Sequence, residues 1–229
     1  MPISEYDWKL IKEERRIPLG KRLARTGIPV TYLGKTWADY EHRDATEHLR
    51  EALRDYAEQF KTTSPPMHGG KGLLIQGPPG VGKTMAACLL GVELLGQGFY
   101  IRFITLAGYT QTLIRQITLQ QAWQRYESLD AFEEWDRTDD ALRALRETAH
   151  LVIVDDVGKE HKTASNYAVD SFDEFLRDRV NLGRPVVMTS NVSIDKWTER
   201  YSEAMASFVR QAATVISVET ADDMRRVRR

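Results

Sequence analysis

The sequence predicts an α/β fold in which helices flank a mostly parallel sheet. Short apolar runs alternate with helical patterns from residue 72 onward, as strands and crossover helices do in parallel sheets. A glycine-rich segment, Gly77–Thr84, lies between the first predicted strand and the helix after it. The apolar runs, such as Leu151–Val154, are only long enough for strands, so none of them is expected to span a membrane.

The individual elements follow from residue spacing. Leu49, Leu53, Tyr56 and Phe60 recur at helical spacing, which predicts an amphipathic helix over Thr46–Lys61. Five strands are predicted, at Gly72–Gly77, Phe99–Leu106, Leu151–Asp155, Pro185–Ser190 and Thr214–Glu219. Helices are predicted at Thr84–Leu95, over most of residues 109–149, and at Ala168–Leu182.

The length of 229 residues suits one sizeable α/β domain with short extensions. Residues 1–45 are polar and mixed, and Pro18, Gly20, Gly27 and Pro29 interrupt any long helix there. We therefore expect residues 1–45 to form an N-terminal extension and linker. Residues 46–229 are expected to form the core, including the basic C-terminal end.

Composition excludes several classes of function. The 32 basic and 33 acidic side chains give a net charge of -1, so any nucleic-acid surface must be local. The first residues lack the apolar segment of a secretory signal, and we expect a cytoplasmic protein. Cys88 is the single cysteine, which excludes an internal disulfide and a cysteine-based zinc site. Its neighbours Ala86, Ala87 and Leu89 indicate a small packed residue.

The strongest signal is the segment with the P-loop pattern: Gly77, Pro78, Pro79, Gly80, Val81, Gly82, Lys83 and Thr84. Its glycines allow successive backbone amides to converge on phosphate oxygens, and the next helix adds its positive end. Lys83 is expected to reach the β- and γ-phosphates of ATP, and the Thr84 hydroxyl to bind Mg²⁺.

A second signal is a buried strand that ends in two carboxylates, Asp155 and Asp156. This is the Walker B arrangement, in which Asp155 is expected to hold Mg²⁺ and Asp156 to polarise the attacking water. Many P-loop ATPases carry Glu at the second of these two positions. The shorter Asp156 therefore leaves open how fast this protein hydrolyses ATP. Alternatively, the two acids could belong to a turn or cap a helix.

A third signal is the strand Val186–Ser190, which is followed directly by Asn191. At an adjacent strand end the Asn191 amide could orient the water or contact the γ-phosphate, the sensor-1 role. Asn is also common at the start of loops.

These motifs together resemble the DnaC/IstB branch of AAA+ proteins, which contains helicase loaders and transposition helper ATPases. The resemblance rests on GPPGVGKT, the Asp155–Gly158 turn and Thr189-Ser190-Asn191, and it covers roughly residues 26–226. The segment Gly27–Trp37 resembles the linker that precedes the ATPase core of the loaders. The resemblance implies an AAA+ P-loop fold with a five-stranded parallel sheet in the order 5-1-4-3-2 and a reduced C-terminal lid.

The family also implies arginines that act on nucleotide. Phe208 stands where an arginine serving the neighbouring subunit is expected, so Arg210 is the nearest substitute and Arg200 the second. Each would equally suit a solvated helix face. Arg225 aligns with a later sensor-2 arginine, and it opens a basic end that could instead be a solubilising tail.

The resemblance further implies partners. A replicative helicase, single-stranded DNA and a ring or spiral of this chain in the ATP state are expected. DNA would lie near Tyr109, Arg115, Trp123, Arg125 and Tyr126, although Trp123 and Tyr126 also have the spacing of core residues. The N-terminal segment, with Trp8, Leu10, Ile11 and Ile17 beside basic residues, is either a helix that docks on the helicase or a frayed terminus.

The function predicted is a Mg²⁺- and ATP-dependent ATPase that loads a replicative helicase onto single-stranded DNA. Two alternatives remain. One keeps the fold and delivers a transposase to DNA. The other is an ATP-gated binding adaptor with negligible hydrolysis, which Asp156 in place of Glu and Phe208 in place of Arg both favour.

Overall fold

The computed structural model describes residues 5–40, 44–62, 71–159 and 167–218. In these ranges four helices precede the first strand: α1 (Glu5–Arg16), α2 (Leu19–Arg25), the single turn α3 (Val30–Leu33) and α4 (Asp44–Thr62). A 3-10 turn, Trp37–Asp39, lies between α3 and α4. Within these ranges, no helix combines the length and apolarity needed to cross a membrane.

The rest of the described chain alternates strands with helices, as predicted. The strands are β1 (Gly72–Gln76), β2 (Ile101–Thr105), β3 (Leu151–Val157), β4 (Val186–Ser190) and β5 (Ala213–Ser217). The helices are α5 (Lys83–Gly96), α6 (Leu106–Tyr126), α7 (Leu129–Arg143), α8 (Tyr167–Asn181), α9 (Trp197–Arg200) and α10 (Glu203–Ala212). The helices α2, α3, α9 and α10 were not predicted, whereas α1 lies in the N-terminal segment for which a helix was one of two alternatives.

The sheet is parallel throughout and follows the order β2-β3-β4-β1-β5. This is the predicted order 5-1-4-3-2 read from the other edge, so the prediction is confirmed. The reduced lid was predicted after β5, and that segment lies outside the described residues.

Helices cover both faces of the sheet because successive strand residues point to opposite sides. On one face Leu73, Ile75 and Ile153 pack in a core with α4 and α5. On the other face Leu74, Val152 and Met188 pack with α6, α8 and α10. The chain therefore forms three layers, with the strand ends free to carry polar side chains.

Part of the predicted N-terminal extension belongs to the first of these cores. Ile11, Ile28 and Tyr40 are buried together with the apolar face of α4. Arg22 donates a hydrogen bond to the carbonyl of Leu95, near the C-terminal end of α5, where a cation is favoured by the helix dipole. The boundary after residue 45 stays a prediction, but residues before it pack on the helix that follows the P-loop.

Arg179 of α8 is a buried structural residue at the opposite end of the sheet from the P-loop. Its guanidinium donates hydrogen bonds to the carbonyls of Leu145, Ala149 and Pro185, at 2.9, 2.8 and 3.1 Å. These carbonyls lie just before β3 and β4. Arg179 thus fixes the two segments that enter the central strands.

We expect Arg179→Met to lower the free energy of unfolding by about 3 kcal/mol or more, because each carbonyl left buried without a donor costs about 1–3 kcal/mol. Urea unfolding measures this change. Arg143→Ala is the control, because Arg143 is exposed and pairs with Asp140 on the surface of its own helix. The control should cost about 0.5 kcal/mol or less. Equal losses in both variants would contradict this role.

Candidate nucleotide-binding site

A cavity of about 470 Å³ lies at the carboxyl ends of the central strands. This is the edge at which open parallel sheets bind ligands. The cavity is lined by residues from both halves of the chain. The predicted site contributes Pro79, Gly80, Gly82, Lys83, Thr84, Asp156 and Asn191, and the N-terminal segment contributes Thr31, Tyr32, Lys35 and Asp39.

The P-loop has the backbone conformation that its glycines permit. Gly80 and Gly82 have φ angles of 87° and 85°, a left-handed region that side chains disfavour. Gly82 is the residue immediately before α5, and the helix begins at Lys83. The backbone amides of the first turn of α5 therefore lie at the cavity, where the N-terminal end of a helix stabilises an anion.

Lys83 links the P-loop to the end of β4. Its Nζ donates hydrogen bonds to the carbonyls of Gly77 and Pro78, at 2.8 and 2.7 Å, and to Oδ1 of Asn191 at 2.7 Å. The structure thus brings Lys83 and Asn191 together, as the sequence predicted from strand ends alone. Their roles toward phosphate remain predictions.

The two residues predicted to bind Mg²⁺ are also in contact. The Thr84 hydroxyl donates a hydrogen bond of 2.8 Å to Oδ1 of Asp155. A hydroxyl and a carboxylate oxygen at this spacing fit Mg²⁺, which takes oxygen ligands and completes its shell with water and phosphate. Burial raises the pKa of Asp155, and hydrogen bonds from Thr189 and Thr84 offset part of that shift. A bound cation would favour the ionised carboxylate further.

Asp156 occupies an unusual backbone conformation. Its φ angle is 61°, which for a residue with a side chain costs about 1–3 kcal/mol and is typical of functional sites. Its Oδ1 forms an ion pair with Nζ of Lys159, at a distance of 2.7 Å. The predicted water-polarising acid therefore faces the cavity with a lysine against it.

Sequence reasoning missed three contributors to this site. Thr189 donates a 2.5 Å hydrogen bond to Oδ1 of Asp155, and it had been noted only as part of the β4 motif. Lys159 follows the Walker B turn, and its spacing alone gives no sign of its pairing. The third is the wall formed by α3 and the 3-10 turn, which packs on α5 through a 3.0 Å hydrogen bond from Trp37 Nε1 to Glu93 Oε2.

Asp39 on that wall is fixed by a capping box. The amide and hydroxyl of Thr36 both donate to Oδ2 of Asp39, at 2.8 and 2.9 Å, and the first of these bonds is the largest cause of its lowered pKa. Lys35 lies 3.5 Å from the other carboxylate oxygen. The wall therefore presents a fixed charge pair to the cavity.

Two of the predicted arginines, Arg210 and Arg200, do not line the cavity. Arg210 lies in the last turn of α10 and donates to Asp195 at 2.8 Å, with 44% of its side chain exposed. Arg200 ends the short helix α9. Phe208 packs under the guanidinium of Arg177, 4.4 Å from its ring centre. Arg225 lies outside the described residues.

The helical pair α6–α7 corrects one of the predicted DNA contacts and leaves others exposed. Tyr109 is buried and its hydroxyl accepts from Arg146, so its proposed stacking on a base is wrong. Trp123 packs against Phe132 and Trp135. Tyr126 is 70% exposed, and Arg115 pairs with Glu134.

Cys88 is buried in α5. Burial raises the pKa of its thiol to about 12, with a further contribution from the charge of Asp155. The thiol is therefore a packed, protonated group.

The fold and this site define the chain as an AAA+ P-loop nucleotide-binding protein. The chain belongs to the family of IstB-like ATP binding proteins, whose model matches residues 9–210. This confirms the resemblance to the DnaC/IstB branch. No curated protein sequence matches the chain.

Several solved structures share the fold. A DnaC helicase loader superposes with a TM-score of 0.63 at 18% identity, over 83% of this chain and 99% of that one. DnaI gives a TM-score of 0.62 at 18% identity, over 89% and 99%. AMPPCP-bound DnaA from Aquifex aeolicus gives 0.61 at 16% identity, over 86% of this chain and 53% of that one. The present chain therefore spans about half the length of that DnaA structure.

Proposed function

We propose that this protein is a Mg²⁺-dependent ATPase that loads a replicative helicase onto single-stranded DNA. The observation that carries the ATPase part is the convergence of Lys83, Thr84, Asp155 and Asn191 at one strand edge. Lys83 would bind the β- and γ-phosphates, and Thr84 and Asp155 would hold Mg²⁺. Mg²⁺, when bound, neutralises charge that develops on the phosphates.

Asp156 would act on the attacking water, and Asn191 would orient it. The resting pair with Lys159 engages Oδ1 of Asp156, and an ionised carboxylate has further acceptor sites for a hydrogen bond from water. Asn191 is already held by Lys83, so a ligand that draws Lys83 toward phosphate would also move the Asn191 amide. The Asn191 amide would in this way take its catalytic position only when a nucleotide is bound.

The loader role is supported by the likeness to DnaC and DnaI over nearly their whole described length. In this proposal residues 46–229 form the AAA+ core, and residues 1–45 dock on the helicase through the surface that they do not pack against this core. The exposed end of α6, with Arg125 and Tyr126, would contact single-stranded DNA by phosphate pairing and base stacking. Such a protein would act in the cytoplasm and assemble into a ring or spiral with ATP.

Two other functions have specific support. Delivery of a transposase to DNA is favoured by the IstB-like family match. An ATP-gated adaptor with negligible turnover is favoured by the Asp156–Lys159 pair, in which a lysine holds one oxygen of the acid.

Affinity capture from the native cell, followed by a loading assay with the captured partner, separates these functions. A loader should retain a replicative helicase and promote its binding to circular single-stranded DNA when ATP is present. Capture of a transposase, or helicase binding without any loading, would contradict the proposal. Phosphate release with and without single-stranded DNA distinguishes the ATPase from the adaptor.

We expect Asp156→Asn to retain ATP binding and to slow hydrolysis about tenfold or more, because the amide keeps the shape but loses the charge that polarises water. Phosphate release at saturating ATP measures the change. Asp155→Asn should instead weaken the Mg²⁺-dependent part of nucleotide binding. If Asp155→Asn slows turnover and Asp156→Asn does not, the division of roles between the two acids is wrong.

A further inference from the structure

The strand that carries both acids is irregular where it reaches the site. Val154 of β3 pairs with Met188 of β4, and Val157 pairs with Ser190. Two residues, Asp155 and Asp156, therefore stand opposite the single residue Thr189. Two residues opposite one is the arrangement of a β-bulge, which bends a strand and changes the direction of side chains beside active sites.

A bulge leaves backbone groups that the regular ladder no longer pairs. Here the Thr189 side chain takes one of them, because its hydroxyl accepts a 3.1 Å hydrogen bond from the amide of Asp156. The same hydroxyl donates a 2.5 Å hydrogen bond to Oδ1 of Asp155. One buried oxygen thus contacts the backbone of one acid and the side chain of the other.

The geometry at Asp155 restricts its carboxylate. Thr84 and Thr189 both donate to the same oxygen, Oδ1, so the carboxylate is held from the P-loop side and from the β4 side at once. Asp155 and Thr189 are nearly inaccessible to solvent, so water cannot easily replace either donor. Without the Thr189 hydroxyl, Thr84 alone of these two residues would donate to Asp155. Thr84 is itself an expected Mg²⁺ ligand.

Asp156 depends on Thr189 in a different way. Its left-handed backbone directs its carboxylate toward Lys159, and its amide hydrogen bond to Thr189 fixes that conformation from the other side. Ser190 closes the next position of the bulge by donating to the carbonyl of Val157 at 2.8 Å. Ser190 therefore supports the strand, whereas Thr189 contacts the acids.

We propose that Thr189 is a positioning residue that sets the orientation of both Walker B acids, Asp155 for Mg²⁺ and Asp156 for the attacking water. This inference rests on the proposed ATPase function. The hydroxyl is the group required, and the methyl group of Thr189 serves only packing. Thr189→Val, which has nearly the same shape, removes the hydroxyl, and Thr189→Ser retains it.

The first measurement is equilibrium binding of a fluorescent ATP analogue to the full chain, with Mg²⁺ and with EDTA. Thr189→Val should bind the analogue as the wild type does in EDTA and lose about 10–100-fold of affinity when Mg²⁺ is present, the range found when a group that orients a metal ligand is removed. Thr189→Ser should restore most of the loss. Thr214→Val, on the exposed side of the edge strand β5, controls for the same substitution elsewhere in the sheet.

Thermal unfolding of each variant shows whether the fold is retained. Binding of Mg²⁺–nucleotide by Thr189→Val that equals the wild type would overturn the inference, and so would a loss that Thr189→Ser shares. A wild-type chain that binds Mg²⁺–nucleotide without hydrolysing it would count against the proposed ATPase. The Mg²⁺-dependent affinity would still test Thr189, because that measurement needs no turnover.

Discussion

Lys83→Ala should abolish tight binding of ATP. Lys83 is a buried lysine whose ammonium is held by two P-loop carbonyls and by Asn191, so it is already located where the β- and γ-phosphates are expected. Replacing it removes a point charge that neither Asn191 nor the backbone can supply. A titration with a fluorescent ATP analogue measures the affinity.

Lys71→Ala is the matched control, because Lys71 is exposed and lies just before β1. Its affinity for ATP should equal that of the wild type. Lys35 and Lys159 also line the cavity, and either could in principle bind phosphate. If Lys83→Ala binds ATP normally while Lys159→Ala does not, the P-loop assignment of the phosphate contact is wrong.

The part of the site that could be predicted is the part that is local in sequence. Gly77 to Thr84 form one loop and the first helical turn, so their spacing alone fixes their geometry. Asp155 and Asn191 were placed beside it by a single further rule, that parallel strands end at the same edge of a sheet. The same rule, combined with the family resemblance, gave the strand order.

The remainder depends on contacts that spacing does not encode. The N-terminal wall reaches the cavity because α3 packs on α5, more than 50 residues later in the chain, as the Trp37–Glu93 bond illustrates. The role of Thr189 depends on a bulge in a neighbouring strand, and this bulge falls on Asp155 and Asp156, after the apolar run that predicted the strand. The helix α10 is short, and it was missed although its N-cap, Ser202, whose hydroxyl accepts from the amide of Met205, is a residue type that signals the start of a helix.

The arginines show a further limit of prediction from one chain. Arg210 and Arg200 were selected for a role toward a neighbouring subunit, and a single subunit cannot place them at their target. The structure shows that the Arg210 side chain is about half exposed. It pairs with Asp195, whose side chain is 80% exposed. A surface ion pair of this kind contributes about 0–1 kcal/mol. Arg210 can therefore exchange Asp195 for a neighbour's phosphate at little cost.

We expect Arg210→Ala to leave the ATP affinity of the isolated subunit nearly unchanged and to reduce turnover of the assembled protein by about 10³–10⁵-fold, as loss of a full arginine finger does. Arg210 does not line the cavity of its own subunit, so it has no contact there to lose. Light scattering with and without ATP shows whether assembly occurs, and phosphate release gives the turnover. Arg143→Ala, at an exposed arginine of α7, is the control.

Mixing two inactive variants tests whether the arginine acts between subunits. Arg210→Ala retains an intact P-loop, and Lys83→Ala retains an intact arginine, so a mixed assembly contains some interfaces at which both are present. Part of the activity should return on mixing, and it should depend on the ratio of the two variants. If no activity returns and Arg200→Ala is strongly impaired, the finger is Arg200. If neither arginine affects turnover and ATP promotes no assembly, the adaptor function is favoured over the motor, because an adaptor needs the nucleotide pocket of one subunit but no arginine from another.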